Sequence, residues 1–154
     1  MANATIFDRL KQDHDLHRRL FEQMADAKDD QERLEQLFEQ FRVEVTAHAA
    51  AEEETLYATM LARPDLREDA QHSVSEHKEI DDYLEELQEL EVDSDAWRET
   101  FGKLKKRYLH HIEEEEEEMF PDAAAELTDE EEQKLAATFA KRKPAELQRA
   151  EASD

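Results

Sequence analysis

The 154-residue chain contains no cysteine, one glycine and three prolines. Without cysteine there are no disulfides, no thiolate metal sites and no cysteine nucleophile. So little glycine and proline leaves few of the turn signals that a β-rich fold needs. No apolar run approaches the roughly 20 residues of a membrane-spanning helix. The opening MANATIFDRLKQDHD carries no apolar signal segment, so a cytoplasmic location is expected. Positive charge is also scarce, with 20 Lys and Arg against 43 Asp and Glu, a formal net charge of −23. Phosphate recognition needs a basic patch that releases counterions, which argues against nucleic acid and against an anionic membrane surface. The same field draws cations in.

What the chain has is helix. Charged residues make up 41% and apolar residues 38%, and the apolar ones recur every three or four positions, the mark of helices with one buried face. Thr5 and Asp8 form a capping arrangement for a first helix whose seam runs Ile6, Leu10, His14, His17, Phe21, Met24. A second, from about Gln31 to Leu61, carries Leu34, Phe38, Phe41, Val45, His48 and Glu52. Arg63-Pro64-Asp65 ends it. A third runs from about Leu66 to Leu90 with His77, Ile80, Leu84 and Leu87 inward. Ser94 caps a fourth, with Trp97, Phe101, Leu104, Tyr108, His111, Glu115 and Met119, until Pro121 breaks or kinks it. The expectation is an all-α, up-down four-helix bundle over residues 1–125. Thr128 with Glu131 caps a short C-terminal helix over 126–143, ended by Pro144, and 144–154 form a disordered tail.

The bundle is written twice. His14 to His77, His48 to His111 and Glu52 to Glu115 each span 63 residues. At the same offset Phe38 meets Phe101, Phe41 meets Leu104, Leu56 meets Met119 and Tyr57 meets Phe120, so one helical hairpin is repeated. In each half the first helix brings a His and the second a His-x-x-x-Glu, whose side chains lie about 40° and one turn apart on one face. Taken alone, His111 and Glu115 sit in a run of Glu that is mostly solvated surface. In the first half, however, His48-Ala-Ala-Ala-Glu52 has no competing carboxylate. A buried Glu without a partner costs several kcal/mol or takes up a proton, roughly as for any charge moved out of water. A metal ion makes that charge useful. Imidazole with carboxylate suits iron, and also zinc or manganese.

The stretches DHDLHRRLFEQM, HAAAEEETLYATM, EHKEIDDYLEEL and HHIEEEEEEMFP, spanning Ile6 to Pro121, resemble the hemerythrin-like, or HHE cation-binding, family. The resemblance implies a non-haem centre of two iron ions, oxo- or hydroxo-bridged. His14 and His48 would hold one iron, His77 and His111 the other, and Glu52 and Glu115 would bridge them. It also implies a small-molecule partner, O2, peroxide or nitric oxide. Oxygen-carrying members have one more His a turn before the third-helix ligand, where this chain has Ser73.

The other histidines sort apart. His17 lies on the seam but pairs with Ile80 in the repeat, so it is expected to pack or to support the ligands, as is Tyr108. His72 and His110 are expected at the periphery. A metal- or redox-responsive interaction module, or a role in iron storage or iron-sulfur repair, are the alternative functions.

Overall fold

The structure, a computed structural model, describes residues 4–152. The first three residues of the expected bundle and the last two of the expected tail lie outside the described residues. Helix α1 is Ile6–Asp26, and its start is the capping box foreseen: Thr5 Oγ1 accepts from Asp8 N–H while the Asp8 carboxylate accepts from Thr5 N–H. Helix α2 begins at Gln31 under an Asp30 cap and runs to residue 61. Helix α3 is Pro64–Glu89, with proline at its first position, where a missing N–H costs nothing. Helix α4 starts at Asp95, with Ser94 Oγ accepting from Trp97 N–H, and stays helical through Pro121 to residue 124. Among the described residues there is no strand, and no helix is long and apolar enough to cross a membrane.

The two helices that carry a His-x-x-x-Glu, α2 and α4, both change winding at its Glu. In α2 a π-turn, Glu53–Tyr57, follows Glu52 directly, and in α4 a π-turn, Glu115–Met119, begins at Glu115. A π-turn inserts extra backbone into the winding, which redirects the side chains at its edge, and such turns gather at functional sites.

Two apolar clusters divide the interior. One holds Leu20, Phe21, Met24, Phe38, Phe41, Leu84, Trp97 and Leu104. The other holds Ile6, Leu10, Leu56, Tyr57, Met60, Leu66, Met119, Phe120 and Phe139. Between them along α1 and α2 sits a buried polar layer, with His14, His17, His48 and Glu52 at most 2% exposed.

The C-terminal part differs from expectation. Residues 129–152 form one helix, α5, Asp129–Ala152, that continues through Pro144, instead of a short helix to 143 and a disordered tail. Proline inside a helix forfeits one backbone hydrogen bond and costs about 3 kcal/mol. Tertiary burial outweighs it here. Ala136, Phe139, Lys143, Glu146 and Ala150 recur at helical spacing and are all buried. Phe139 belongs to the bundle core, and Arg42 donates to the Ala150 carbonyl at 3.3 Å. Helix α5 packs on α1 and α2, so it is a fifth member of the same domain.

Candidate metal centre

All four bundle helices contribute to the polar layer: His14 from α1, His48 and Glu52 from α2, His77 from α3, His111 and Glu115 from α4. Each is buried. Ring centres lie 5.1 Å apart for His14 and His48 and 4.9 Å apart for His77 and His111, two couples of imidazoles. Each carboxylate then faces one imidazole of each couple. Glu115 Oε1 is 3.5 Å from His14 Nε2 and 3.1 Å from His111 Nε2. Glu52 Oε1 is 3.6 Å from His48 Nε2 and 3.3 Å from His77 Nε2. Glu52, His77, His111 and Glu115 offer ligand atoms that all lie within 4.8 Å of one another.

The far side of each ring meets a carboxylate. His48 Nδ1 donates to Asp13 Oδ2 at 2.8 Å, and His111 Nδ1 donates to Glu76 Oε1 at 2.8 Å. His14 Nδ1 donates to Glu116 Oε2 at 2.7 Å, while His77 Nδ1 and Glu53 Oε2 are 3.5 Å apart. A carboxylate at Nδ1 fixes the tautomer that leaves the Nε2 lone pair free, orients the ring and raises its basicity toward a metal. The supports obey the repeat as well, since Asp13 to Glu76 and Glu53 to Glu116 each span 63 residues. Cations back them: Arg9 and Lys143 on Asp13, Arg107 on Glu76 and Arg18 on Glu116.

The inner atoms have no such partners. His14 Nε2, His48 Nε2, His111 Nε2, both Glu52 oxygens and Glu115 Oε1 are buried without a hydrogen bond. Each unsatisfied buried group costs about 1–3 kcal/mol, more when charged. Cations among these atoms would satisfy them, so the donor set fits metal ions of borderline to hard character.

Without metal the layer must hold protons. Burial and the nearby Glu115 push the Glu52 carboxyl well above the ordinary range. Burial would raise Glu115 as well, but His111 and His14 at its oxygens hold it well below. Burial opposes a charge on His111, yet Glu115 and Glu76 outweigh it and raise the imidazole to about 9. For His48 burial prevails over Asp13 and brings it down to about 4.

The supporting residues also take their places. His17 is fully buried, its Nδ1 is 2.5 Å from the Tyr108 hydroxyl, and its ring lies 5.2 Å from that of His48. Burial, together with any positive charge on His48 or His14, lowers its pKa well below 6.5. The side chains of His72 and His110 are 58% and 67% exposed. Ser73 is buried and its Oγ donates to Met119 Sδ at 3.1 Å.

Sequence reasoning missed Tyr57, whose hydroxyl donates to Glu115 Oε2 at 2.7 Å and lies 3.4 Å from His77 Nε2. Its repeat counterpart is Phe120, so nothing in the pattern marked the hydroxyl. Asp13, Glu53, Glu76 and Glu116 were missed although the 63-residue offset would have paired them. A cavity of about 410 Å³ opens beside this layer, with His72, Glu114 and Glu118 among its walls and His111 and Glu115 also lining it.

The family model described as Hemerythrin HHE cation binding domain matches residues 5–123. No curated protein matches the chain. Among solved structures, the chain is similar to a hemerythrin HHE cation binding domain-containing protein from Mycobacterium kansasii. The two are 23% identical with a TM-score of 0.81, and the match covers 96% of this chain and 88% of the other. At that identity the likeness concerns the fold, and it includes the region of α5.

Proposed function

This chain belongs to the hemerythrin HHE cation-binding domain family, and from that premise we propose that it is a non-haem di-iron protein acting on O2, peroxide or nitric oxide. His14 and His48 would hold one iron, His77 and His111 the other, and Glu52 and Glu115 would be shared between them. One observation carries the reading: each buried carboxylate faces one imidazole from each half of the repeat. A surface salt bridge has no use for such an arrangement, whereas two ions sharing two carboxylates require it.

When bound, the iron pair supplies the electron transfer that these side chains lack. The chain's own groups do the rest. Asp13, Glu76 and Glu116 hold three rings with Nε2 inward. Tyr57 keeps its proton, because burial and the charges of Glu115 and Glu52 raise its pKa well above 10.0. That keeps its O–H donated to Glu115 Oε2, which orients the carboxylate. Acidic walls around the adjoining cavity favour neutral or cationic visitors over anions. Ser73, turned toward Met119, supplies no imidazole, so each iron would have two. Such a centre would keep positions free for chemistry, which favours reaction or sensing over oxygen carriage.

Stopped-flow spectroscopy of the reduced, iron-loaded protein mixed with O2, hydrogen peroxide or nitric oxide tests the reading. An optical change with at least one of them is expected, and with O2 it decays to the diferric spectrum. Protein that holds two irons yet stays silent with all three contradicts the proposal. So does a change with O2 that persists for hours and reverses under vacuum.

A further inference from the structure

Lys143 is buried, only 6% exposed, and it comes from α5, beyond the residues that the family model matches. Its Nζ donates to Asp13 Oδ2 at 3.0 Å and lies 3.3 Å from Glu44 Oε2. Asp13 Oδ2 is also the oxygen that accepts the His48 Nδ1–H. Lys143 and His48 therefore compete for one carboxylate oxygen, while Arg9 occupies the other at 2.6 Å. The second half is arranged differently. Glu76 receives His111 at Oε1 and Arg107 at Oε2, so ring and cation use separate oxygens, and the Arg107 side chain is 25% exposed.

Packing brings this side chain to the site. Phe139, one turn before Lys143 on α5, is fully buried, with its ring 5.9 Å from that of His48 and beneath the Arg9 guanidinium at 4.9 Å. A buried ammonium also acts on its neighbours with little screening, whereas Arg107 acts partly through water.

We infer that Lys143 is a positioning residue that makes the two metal positions unequal: by sharing Asp13 Oδ2 it weakens the acceptor behind His48, leaving that imidazole a poorer electron donor than His111. The inference rests on the di-iron reading. Its direction follows from the chemistry. An acceptor that pulls harder on Nδ1–H raises the basicity of Nε2 and stabilises the oxidised metal. An acceptor already satisfied by an ammonium pulls less, so the iron beside His48 is the easier of the two to reduce.

The test is a spectroscopically monitored redox titration of the iron-loaded protein, with Mössbauer spectra of each variant and iron content measured alongside. Lys143→Met should lower the potential of the first one-electron step by about 59 mV or more, a tenfold change in that equilibrium. It should also shift one of the two iron signals and spare the other. Lys143→Arg should restore both. Glu44→Gln, which removes the competing partner of Lys143 at a partly exposed position, should move the potential the opposite way, and it carries the test if Lys143→Met does not fold. Unchanged potentials in Lys143→Met and Glu44→Gln protein holding two irons would overturn the inference while leaving the di-iron reading standing. Equal shifts of both iron signals would also overturn it, since they would mark a general field effect. Wild-type protein without iron would overturn both.

Discussion

Replacing Glu76 by Gln isolates the contribution of one outer carboxylate. The Glu76 carboxylate accepts the His111 Nδ1–H at 2.8 Å and pairs with Arg107, and it touches none of the inner oxygens. The amide keeps the shape and can still accept a hydrogen bond, but it loses the charge that makes His111 a strong donor. Loss of such a partner weakens metal affinity about 10- to 100-fold, about 1.4–2.8 kcal/mol at 1.4 kcal/mol per decade. Fold stability of the metal-free protein should fall by only about 1 kcal/mol, because the amide still accepts the His111 Nδ1–H, Glu115 still faces that imidazole, and Arg107 is partly exposed and can turn to Glu79, 3.8 Å away. Asp13→Asn should behave differently. It weakens the support of His48 and also leaves Lys143 buried with only Glu44, so its stability loss should approach the low end of the about 3–5 kcal/mol seen when buried pairs are broken. Anaerobic competition for ferrous ion against a chromophoric chelator reads the affinity, and chemical denaturation of metal-free protein reads the stability. A Glu76→Gln protein that folds and binds iron within twofold of wild type would refute the idea that these carboxylates tune the ligands.

Alanine at His48 or His111 should cut bound iron to well under half, whereas His72→Ala and His110→Ala should leave the stoichiometry intact; elemental analysis of each variant checks this. In metal-free protein the His111 pKa is raised from 6.5 to about 9, so its stabilisation is fully present below pH 6.5 and is lost as pH rises through 9. The melting temperature of metal-free protein should therefore fall between pH 7 and 9.5. Metal binding at pH 7 should release protons, and calorimetry in buffers of different ionisation enthalpy measures them; no release would contradict a protonated His111. Chelation should lower the melting temperature clearly, since a ligand that binds only the native state stabilises it by RT ln(1 + [L]/Kd). Phe139→Ala should destabilise the protein by about 3–5 kcal/mol, the range for removing a fully buried aromatic, and denaturant unfolding reads it.

The bundle was legible because its repeat places apolar residues and candidate ligands at one offset, so Phe38 with Phe101 corroborates His48 with His111. The caps at Thr5, Ser94 and Thr128 were legible for a local reason: each side chain bonds a backbone N–H three residues ahead. Asp13 and Glu76 were within reach of the same comparison, but in a chain this acidic a carboxylate beside a histidine carries no signal of its own. The course of α5 was not legible. Pro144 reads locally as a stop, and the buried stripe that overrides it includes Lys143 and Glu146, which read as surface. Lys143 reaches Asp13 across 130 residues of sequence, a contact that only the packing of α5 against α1 and α2 brings about. The π-turns after Glu52 and at Glu115 left no sequence mark, because they change the winding and not the residue types.

The central claim is that two ions share Glu52 and Glu115. Iron content and low-temperature Mössbauer spectra of the aerobic, iron-loaded protein, compared with those of Glu52→Gln and Glu115→Gln, test it most directly. About two irons per chain in a coupled diamagnetic ferric pair, with coupling or occupancy lost in either variant, is the predicted result. One iron per chain, or two magnetically isolated ferric ions indifferent to both substitutions, would contradict it.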